Sequence, residues 1–297
     1  MTDNINNHRK PLLAFLFSIF TPGLGHIYNG RLITGVILFS VCQLFSFFFY
    51  LTHISGSFYG LFLFLLIAVC FGIYIIGSAI YISVHEKDYT PKPYNKPIIM
   101  VLIAVIMLLI SFIINDLSII DFNTYRIASS SGEPTLHIHD MVVADITCYK
   151  RNPIQYGDIV VFKSYKGDYW ISRVVGLPFD TIGVVDDVVS INHKICSSAF
   201  VKDNTSDGYA VKEFEEVLPN GHRHKIFKFI KHLNHALNTV SDTVIPANHY
   251  YLLGDNRDNA ADSRVHGFVK KEDITGRIIY SYWGQTKDRI NIDFKDK

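Results

Sequence analysis

The chain has 297 residues, 49% of them apolar, and carries 28 basic against 27 acidic side chains. A net charge of +1 gives no reason to expect a polyanionic or acidic partner, and the length allows more than one folded unit. No metal-ligand spacing links the four cysteines, and no nucleotide or nucleic-acid motif is present.

The two halves differ in texture. Residues 1–118 carry long apolar runs and read as a helical membrane region. Ile33–Thr52, Phe58–Val84 and Pro97–Asn115 are each long enough to span a bilayer. The middle run exceeds the need and implies tilt. The first apolar run, Pro11–Phe20, stops after about ten residues at Thr21-Pro22-Gly23-Leu24-Gly25, which suits a re-entrant or interfacial piece better than a full crossing. It is not followed by a cleavage site before a soluble chain, so a removable leader fits poorly. Arg9, Lys10, Arg31, Lys87, Lys92 and Lys96 flank these runs, whereas the loop from Thr52 to Ser57 has no Lys or Arg. Placing every basic segment in the cytoplasm requires that Pro11–Asn29 enter and leave on one side. Three crossings then put everything after Asn115 outside. Cys42 and Cys70 lie within the apolar runs, where cysteine behaves as a small hydrophobe. Cys148 and Cys196 lie in the polar half, and a disulfide between them stays open.

Residues 119–297 show short alternating runs separated by turn residues, the pattern of a mainly β domain. Val142–Ala144, Ile159–Phe162, Trp170–Val175, Val184–Ile191 and Tyr250–Leu253 are strand candidates. Tyr209–Leu218 and Lys225–Ile230 flank Pro219-Asn220-Gly221, a hairpin cue. Lys231–Val240 reads as a helix.

Three segments of this half carry the chemistry. Ser129-Ser130-Ser131-Gly132-Glu133-Pro134-Thr135-Leu136 comes first, then Arg173-Val174-Val175-Gly176-Leu177-Pro178-Phe179-Asp180. The third runs from Gly254 to Arg264, Gly-Asp-Asn-Arg-Asp-Asn-Ala-Ala-Asp-Ser-Arg, with charges of both signs packed behind an apolar strand. Charges this dense persist in a fold when they pair with one another and with backbone groups. The serine-rich segment and the charged segment each read alone as a polar loop. Together and in this order, over about Asp121–Gly284, they resemble signal peptidase I, the membrane-bound serine endopeptidase that removes signal peptides from secreted preproteins.

The resemblance implies a helical membrane anchor followed by a mainly β catalytic-type domain, with residues 196–241 as a variable insertion. It implies that Ser131 is the nucleophile and that Ser129 lends its hydroxyl to the oxyanion hole beside the backbone N–H of Ser131. Arg173, Asp255, Arg257, Asp262 and Arg264 fall at site-supporting positions. The family's base is a lysine directly before the arginine of Lys-Arg-Val-Val-Gly-Leu-Pro-Gly-Asp, kept neutral by an apolar site. Here that position is Ser172, whose hydroxyl has no useful basicity at neutral pH. The family's Asp-Asn-Ser, whose serine orients the lysine, reads Asp258-Asn259-Ala260. Gly132, Phe179 and His266 depart from it as well, and Tyr156 stands where Arg-Gly-Asp-Ile-Val-Val-Phe has arginine.

If Ser164–Asp168 is a loop, Lys163 pairs with Tyr169 and Ser172 with Val160, which puts Lys163 on the far face. His137, His139 and His266 are the other nearby basic groups. Two readings stay open, a working peptidase and a silent relative that binds preproteins or a partner without cutting. Either implies membrane-inserted preproteins and the lipid bilayer as partners, with no nucleic acid, cofactor or metal. The bound segment would add as an extended strand, with small side chains in shallow pockets. The resemblance places the domain on the outer, periplasmic face of a bacterial cytoplasmic membrane. Pro-Gly-Leu-Gly-His-Ile-Tyr-Asn-Gly also resembles small membrane modules sometimes joined to such enzymes, and otherwise reads as a plain helix break and loop.

Overall fold

The computed structural model describes residues 9–51, 57–86, 92–117, 122–230 and 239–295. The chain divides into two compact units, Met1–Ile120 and Asp121–Lys297.

In the first unit α1 (Pro11–Phe20) turns into α2 (Leu24–Tyr28), followed by α3 (Leu32–Leu51), α4 (Phe58–His85) and α5 (Pro97–Leu117). The last three are long and apolar enough to cross a membrane. Their outer faces are crowded with exposed Phe, Leu, Ile and Val, as expected of helices surrounded by hydrocarbon. At about 1.5 Å per residue α1 is only about 15 Å long, half a bilayer core. The break after it is more than a loop. Gly23 has a φ of 85°, and a Cβ there would lie 2.1 Å from the Gly35 carbonyl oxygen. That close approach lets α2 fold against α3. The Asn29 amide donates to the Ala79 carbonyl at 2.6 Å, His26 Nε2 meets Ser78 Oγ at 3.0 Å, and Asn95 donates to the Ile27 carbonyl at 2.8 Å. Polar groups of the Gly-His-Ile-Tyr-Asn-Gly stretch are thus used to pin it to α4 and to the segment before α5, which corrects the plain-loop reading.

The second unit is mainly antiparallel β. β1 (Phe122–Arg126), β2 (Met141–Asp145), β3 (Ile159–Lys163) and β4 (Tyr169–Gly176) join β12 (His249–Leu253), β13 (Val269–Lys270) and β14 (Ile274–Trp283) in a seven-stranded sheet ordered β1-β2-β14-β3-β4-β12-β13. α6 (Cys148–Arg151) and α7 (Ser263–His266) are single turns at its margins. Small strands β5 (Thr181–Val185), β6 (Val188–Ile191), β7 (Lys194–Ile195) and β11 (Val240–Val244) make a second sheet, ordered β11-β5-β6-β7. β8 (Ser198–Ser206), β9 (Tyr209–Val217) and β10 (Arg223–Phe229) make a third, in the order β10-β9-β8. Period-2 alternation explains the buried faces. Val142 and Ala144 with Val161 and Ile278 form one apolar cluster, and Val160 and Phe162 with Val174 and Leu252 another.

Two expectations change. Val184–Ile191 is a hairpin rather than one strand, because Asp186 and Asp187 take positive φ values of 48° and 59° and turn the chain. The insertion contains a further strand, β8, which pairs with β9 over its whole length. The expected helix at Lys231–Val240 falls largely outside the described residues, apart from Thr239, which is not helical, and Val240, which opens β11. All four cysteines are free.

Candidate active site

The Ser-Ser-Ser segment follows β1 and is pinned at its start by exchange of backbone hydrogen bonds between Ile127 and the His139–Asp140 turn. Ser130–Gly132 then close a single 3-10 turn. This turn places the hydroxyls of Ser129 and Ser131 3.0 Å apart, on an accessible side. Ser130 points inward and is buried. Its hydroxyl donates to the Asp207 carboxylate and accepts from Asn259 Nδ2 at 2.8 Å. The backbone N–H of Asn256 donates to the Ser131 carbonyl at 3.0 Å, and Asn256 Nδ2 donates to the Ser130 carbonyl at 3.1 Å. Gly254 is required here. A Cβ on it would stand 2.4 Å from Ala260 Cβ and 2.8 Å from the Ser131 carbonyl oxygen.

The expected charged residues do form pairs, and all five are tied down. Arg173 grips Asp255 with two bonds of 2.8 and 2.7 Å and gives a third to the Gly157 carbonyl at 2.8 Å. Thr135, from the serine loop, donates to the same Asp255 carboxylate. Burial acts to raise the Asp255 pKa, but the Arg173 charge and hydrogen bonds outweigh it and hold the group ionised below its ordinary range. Arg264 binds Asp262 and Asp187, and the Asp262 carboxylate accepts the Gly254 N–H at 3.0 Å. Arg257 pairs with Glu216, 1% exposed, on β9 of the insertion. Burial opposes ionisation of Glu216, and the Arg257 charge overcomes it to push that pKa far down.

Sequence reading missed Glu216, Asp207, Asn256 and two histidines. His222 Nε2 lies 3.3 Å from Arg173 Nη1. Burial and the Arg173 charge lower the His222 pKa to about 4. His224, buried beside Glu216, is lowered for the same two reasons. Most of these contacts join distant residues, 41 positions apart for Glu216 and Arg257 and 126 for Ser130 and Asn256.

The corner expected to hold a base is different. Ser172 pairs with Val160 in an unbroken β3–β4 register, between Trp170 and Val174 on its own strand. Its face belongs to the apolar cluster of Val160, Phe162, Val174 and Leu252. It is half-buried, and its hydroxyl has no hydrogen-bond partner among the described residues. Lys163 pairs with Tyr169, is exposed, and by strand parity lies on the opposite face. His137 Nε2 faces the Pro134 carbonyl at 3.1 Å and His139 faces Arg126 at 2.9 Å. The His266 ring packs 5.0 Å from Tyr165 and 5.2 Å from Trp170. None of these rings hydrogen-bonds Ser131 among the described residues; its hydroxyl contacts only that of Ser129. No group of His, Cys, Asp and Glu suited to a metal ion occurs among the described residues.

Apolar helices followed along the chain by an antiparallel β unit, with a serine pair on a loop held by buried arginine–carboxylate pairs, are the features that the comparisons with known proteins address. The family model "Signal peptidase, peptidase S26" matches residues 97–283. Signal peptidase IB of Staphylococcus aureus (strain MRSA252) is 28% identical over 173 residues, covering 57% of this chain and 82% of the relative. Signal peptidase I of Bacillus caldolyticus is 28% identical over 176 residues, covering 58% and 85%. A crystal structure of a signal peptidase I from Enterococcus faecalis V583 is 26% identical, covers 42% of this chain and 97% of that one, and has a TM-score of 0.28. The chain belongs to the signal peptidase I family.

Proposed function

We propose that this chain is a membrane-anchored serine endopeptidase that binds the extended end of a signal peptide and cuts after it through Ser131. The observation that carries the reading is the Ser129–Ser131 hydroxyl pair at 3.0 Å on a loop braced by Arg173 and Asp255. A scissile carbonyl attacked by Ser131 develops negative charge. The Ser129 hydroxyl and the Ser131 N–H are the donors for it. The proton of Ser131 must go to a base, and among the described residues the Ser131 hydroxyl is hydrogen-bonded only to that of Ser129, while Ser172 itself has no useful basicity. Attack on these terms keeps only the part of catalysis supplied by binding and the oxyanion donors, about 10³–10⁴-fold over water in serine proteases stripped of their bases.

A second reading rests on Ser172 and Ala260. The family's base and the hydroxyl that orients it are missing together, and a chain altered in both fits a preprotein-binding relative that does not cut. The two readings separate in one assay. Detergent-purified protein is given a preprotein, and binding and processing are followed side by side. Cleavage after a small residue, lost in Ser131→Ala and cut about 10²-fold or more in Ser129→Ala, supports the peptidase. Capture without cleavage supports the silent relative, and cleavage untouched by Ser131→Ala removes Ser131 from the mechanism.

The charge pattern supports an outward-facing β unit, with Arg9, Lys10, Arg31 and the basic segment carrying Lys87, Lys92 and Lys96 on the cytoplasmic side. A reporter fused after Asn115 is expected to be active only outside the cytoplasm. Activity of a cytoplasmic reporter there would mean an even number of crossings.

A further inference from the structure

The insertion sheet reaches the serine loop itself. β8 and β9 meet in a two-residue turn, Asp207-Gly208, closed by the Ser206–Tyr209 pair, with φ values of 48° and 81°. This is the left-handed geometry favoured in tight hairpins, and it fixes the direction of both flanking side chains. Ser206 is buried. Its hydroxyl donates to Glu133 Oε2 at 2.5 Å and accepts from Asn256 Nδ2 at 3.0 Å. Asp207 accepts the hydroxyl proton of Ser130. The tip therefore holds the residue before Ser131, the residue two after it, and the asparagine whose backbone N–H holds the Ser131 carbonyl.

The same sheet is anchored equally firmly away from its tip. Phe227 N–H donates to the Asp255 carbonyl at 2.9 Å, Phe227 bridges Asn256 in parallel fashion, and Glu216 takes Arg257. With the sheet fixed to the Gly254–Arg264 loop, the tip becomes a strut between that loop and the serine turn. The geometry points to Ser206 and Asp207 as positioning residues for Ser131, acting through Ser130, Glu133 and Asn256. The inference rests on Ser131 being the reacting hydroxyl. Buried Ser130 turns a bond made at the hairpin tip into a constraint on the neighbouring nucleophile. A displacement of about 1 Å at a reacting atom is enough to cost about 10²-fold in rate.

The competing explanation is that Asp207 serves only the turn, since Asp-Gly suits this geometry by itself. Two substitutions separate the roles. Asp207→Gly keeps the turn and removes the carboxylate, whereas Asp207→Asn keeps both the turn and an oxygen that accepts from Ser130. They are placed in the full-length Ser131→Cys chain in detergent, and iodoacetamide labelling of the introduced thiol is timed by peptide mass spectrometry. Buried Cys148 and Cys196 report any general loosening.

Labelling of the introduced thiol should quicken about tenfold or more with Asp207→Gly and with Ser206→Ala, the scale of losing a hydrogen bond to a charged group. It should change less than about twofold with Asp207→Asn or with the control Asp203→Ala on the exposed edge of β8. In whichever chain cleaves, the parent or one carrying Ser172→Lys with Ala260→Ser, Asp207→Gly should lower kcat and leave KM in place. An unchanged labelling rate of that thiol in Asp207→Gly and Ser206→Ala overturns the inference. So does a rise matched at Cys148 and Cys196, which assigns the hairpin to general stability. Loss of the Ser131 nucleophile reading shows separately, as cleavage that survives Ser131→Ala.

Discussion

Adjacent residues of β4 belong to two regions with opposite fates. Arg173 points into a charged brace that has every partner it needs: Asp255, Thr135 and the Gly157 carbonyl. Ser172 lies on the strand face of an apolar cluster, and neither its hydroxyl nor the Ala260 methyl is a group that could take a proton. The contrast separates two demands that an active site makes on a sequence. Holding a loop in place needs buried charges matched in number and geometry. Moving a proton needs one group of tuned basicity, and replacing it leaves the surrounding framework in order. The brace can hold the family's architecture in order whatever residue stands at Ser172, the position that the resemblance gives to the lysine.

The sharpest test of that separation fills the empty corner. In Ser172→Lys with Ala260→Ser, a lysine between Trp170 and Val174 would sit on an apolar face that disfavours its charge and lowers its pKa. Preprotein processing should rise about 10²–10⁴-fold over the parent, the usual contribution of a positioned general base, and should increase with pH as the lysine loses its proton. No gain, in a protein that still binds signal peptides, would show that the framework around the corner has changed too.

Breaking the brace should act on folding first. Arg173→Ala leaves Asp255 buried without its counter-charge and is expected to cost about 3–5 kcal/mol. Both tryptophans, Trp170 and Trp283, lie in the β unit, so urea unfolding followed by their fluorescence reads that unit selectively. Arg173→Lys should recover only part of the loss, because an ammonium cannot reproduce the two-pronged contact. A loss below about 1 kcal/mol in Arg173→Ala would mean that Asp255 finds another partner and that the brace is dispensable.

The smallest effect expected is a slope with pH. His222 has its pKa lowered from 6.5 to about 4, so between those values the unfolded chain holds more protons than the folded one. Stability is then complete above about pH 6.5 and declines as the pH falls toward 4. His222→Gln should flatten that decline measurably in thermal midpoints of the β unit, and an unaltered slope would assign it to other groups, His224 first.

Local patterns carried much of this into the sequence. The β3–β4 pairing, including the Ser164–Asp168 loop and the opposed faces of Lys163 and Ser172, follows from alternation and turn residues alone. The hairpin around Asn220-Gly221 does as well. Asp186-Asp187 hid a turn because aspartate can adopt positive φ without the glycine that usually marks it. The partners of the arginines were legible as charge that had to pair, and Asp255 and Asp262 lie within the same motif. Glu216 was not legible. It sits 41 residues before Arg257 on an alternating strand, where nothing local distinguishes it from its neighbours Glu213 and Glu215. The tip contacts of Ser206 and Asp207 escaped for the same reason, since they depend on how a whole sheet is set down beside the loop.

The Arg257–Glu216 pair also bears on how such proteins could be recombined. Surface insertions are commonly exchangeable, because a loop can lengthen at little entropic cost. Here a chimera that took residues 196–241 from a relative without an equivalent carboxylate would strand Arg257, 2% exposed, in the interior with no counter-ion. A graft would therefore need to carry Glu216 across or replace Arg257 with a neutral side chain at the same time. In this chain the insertion and the motif loop are a matched set.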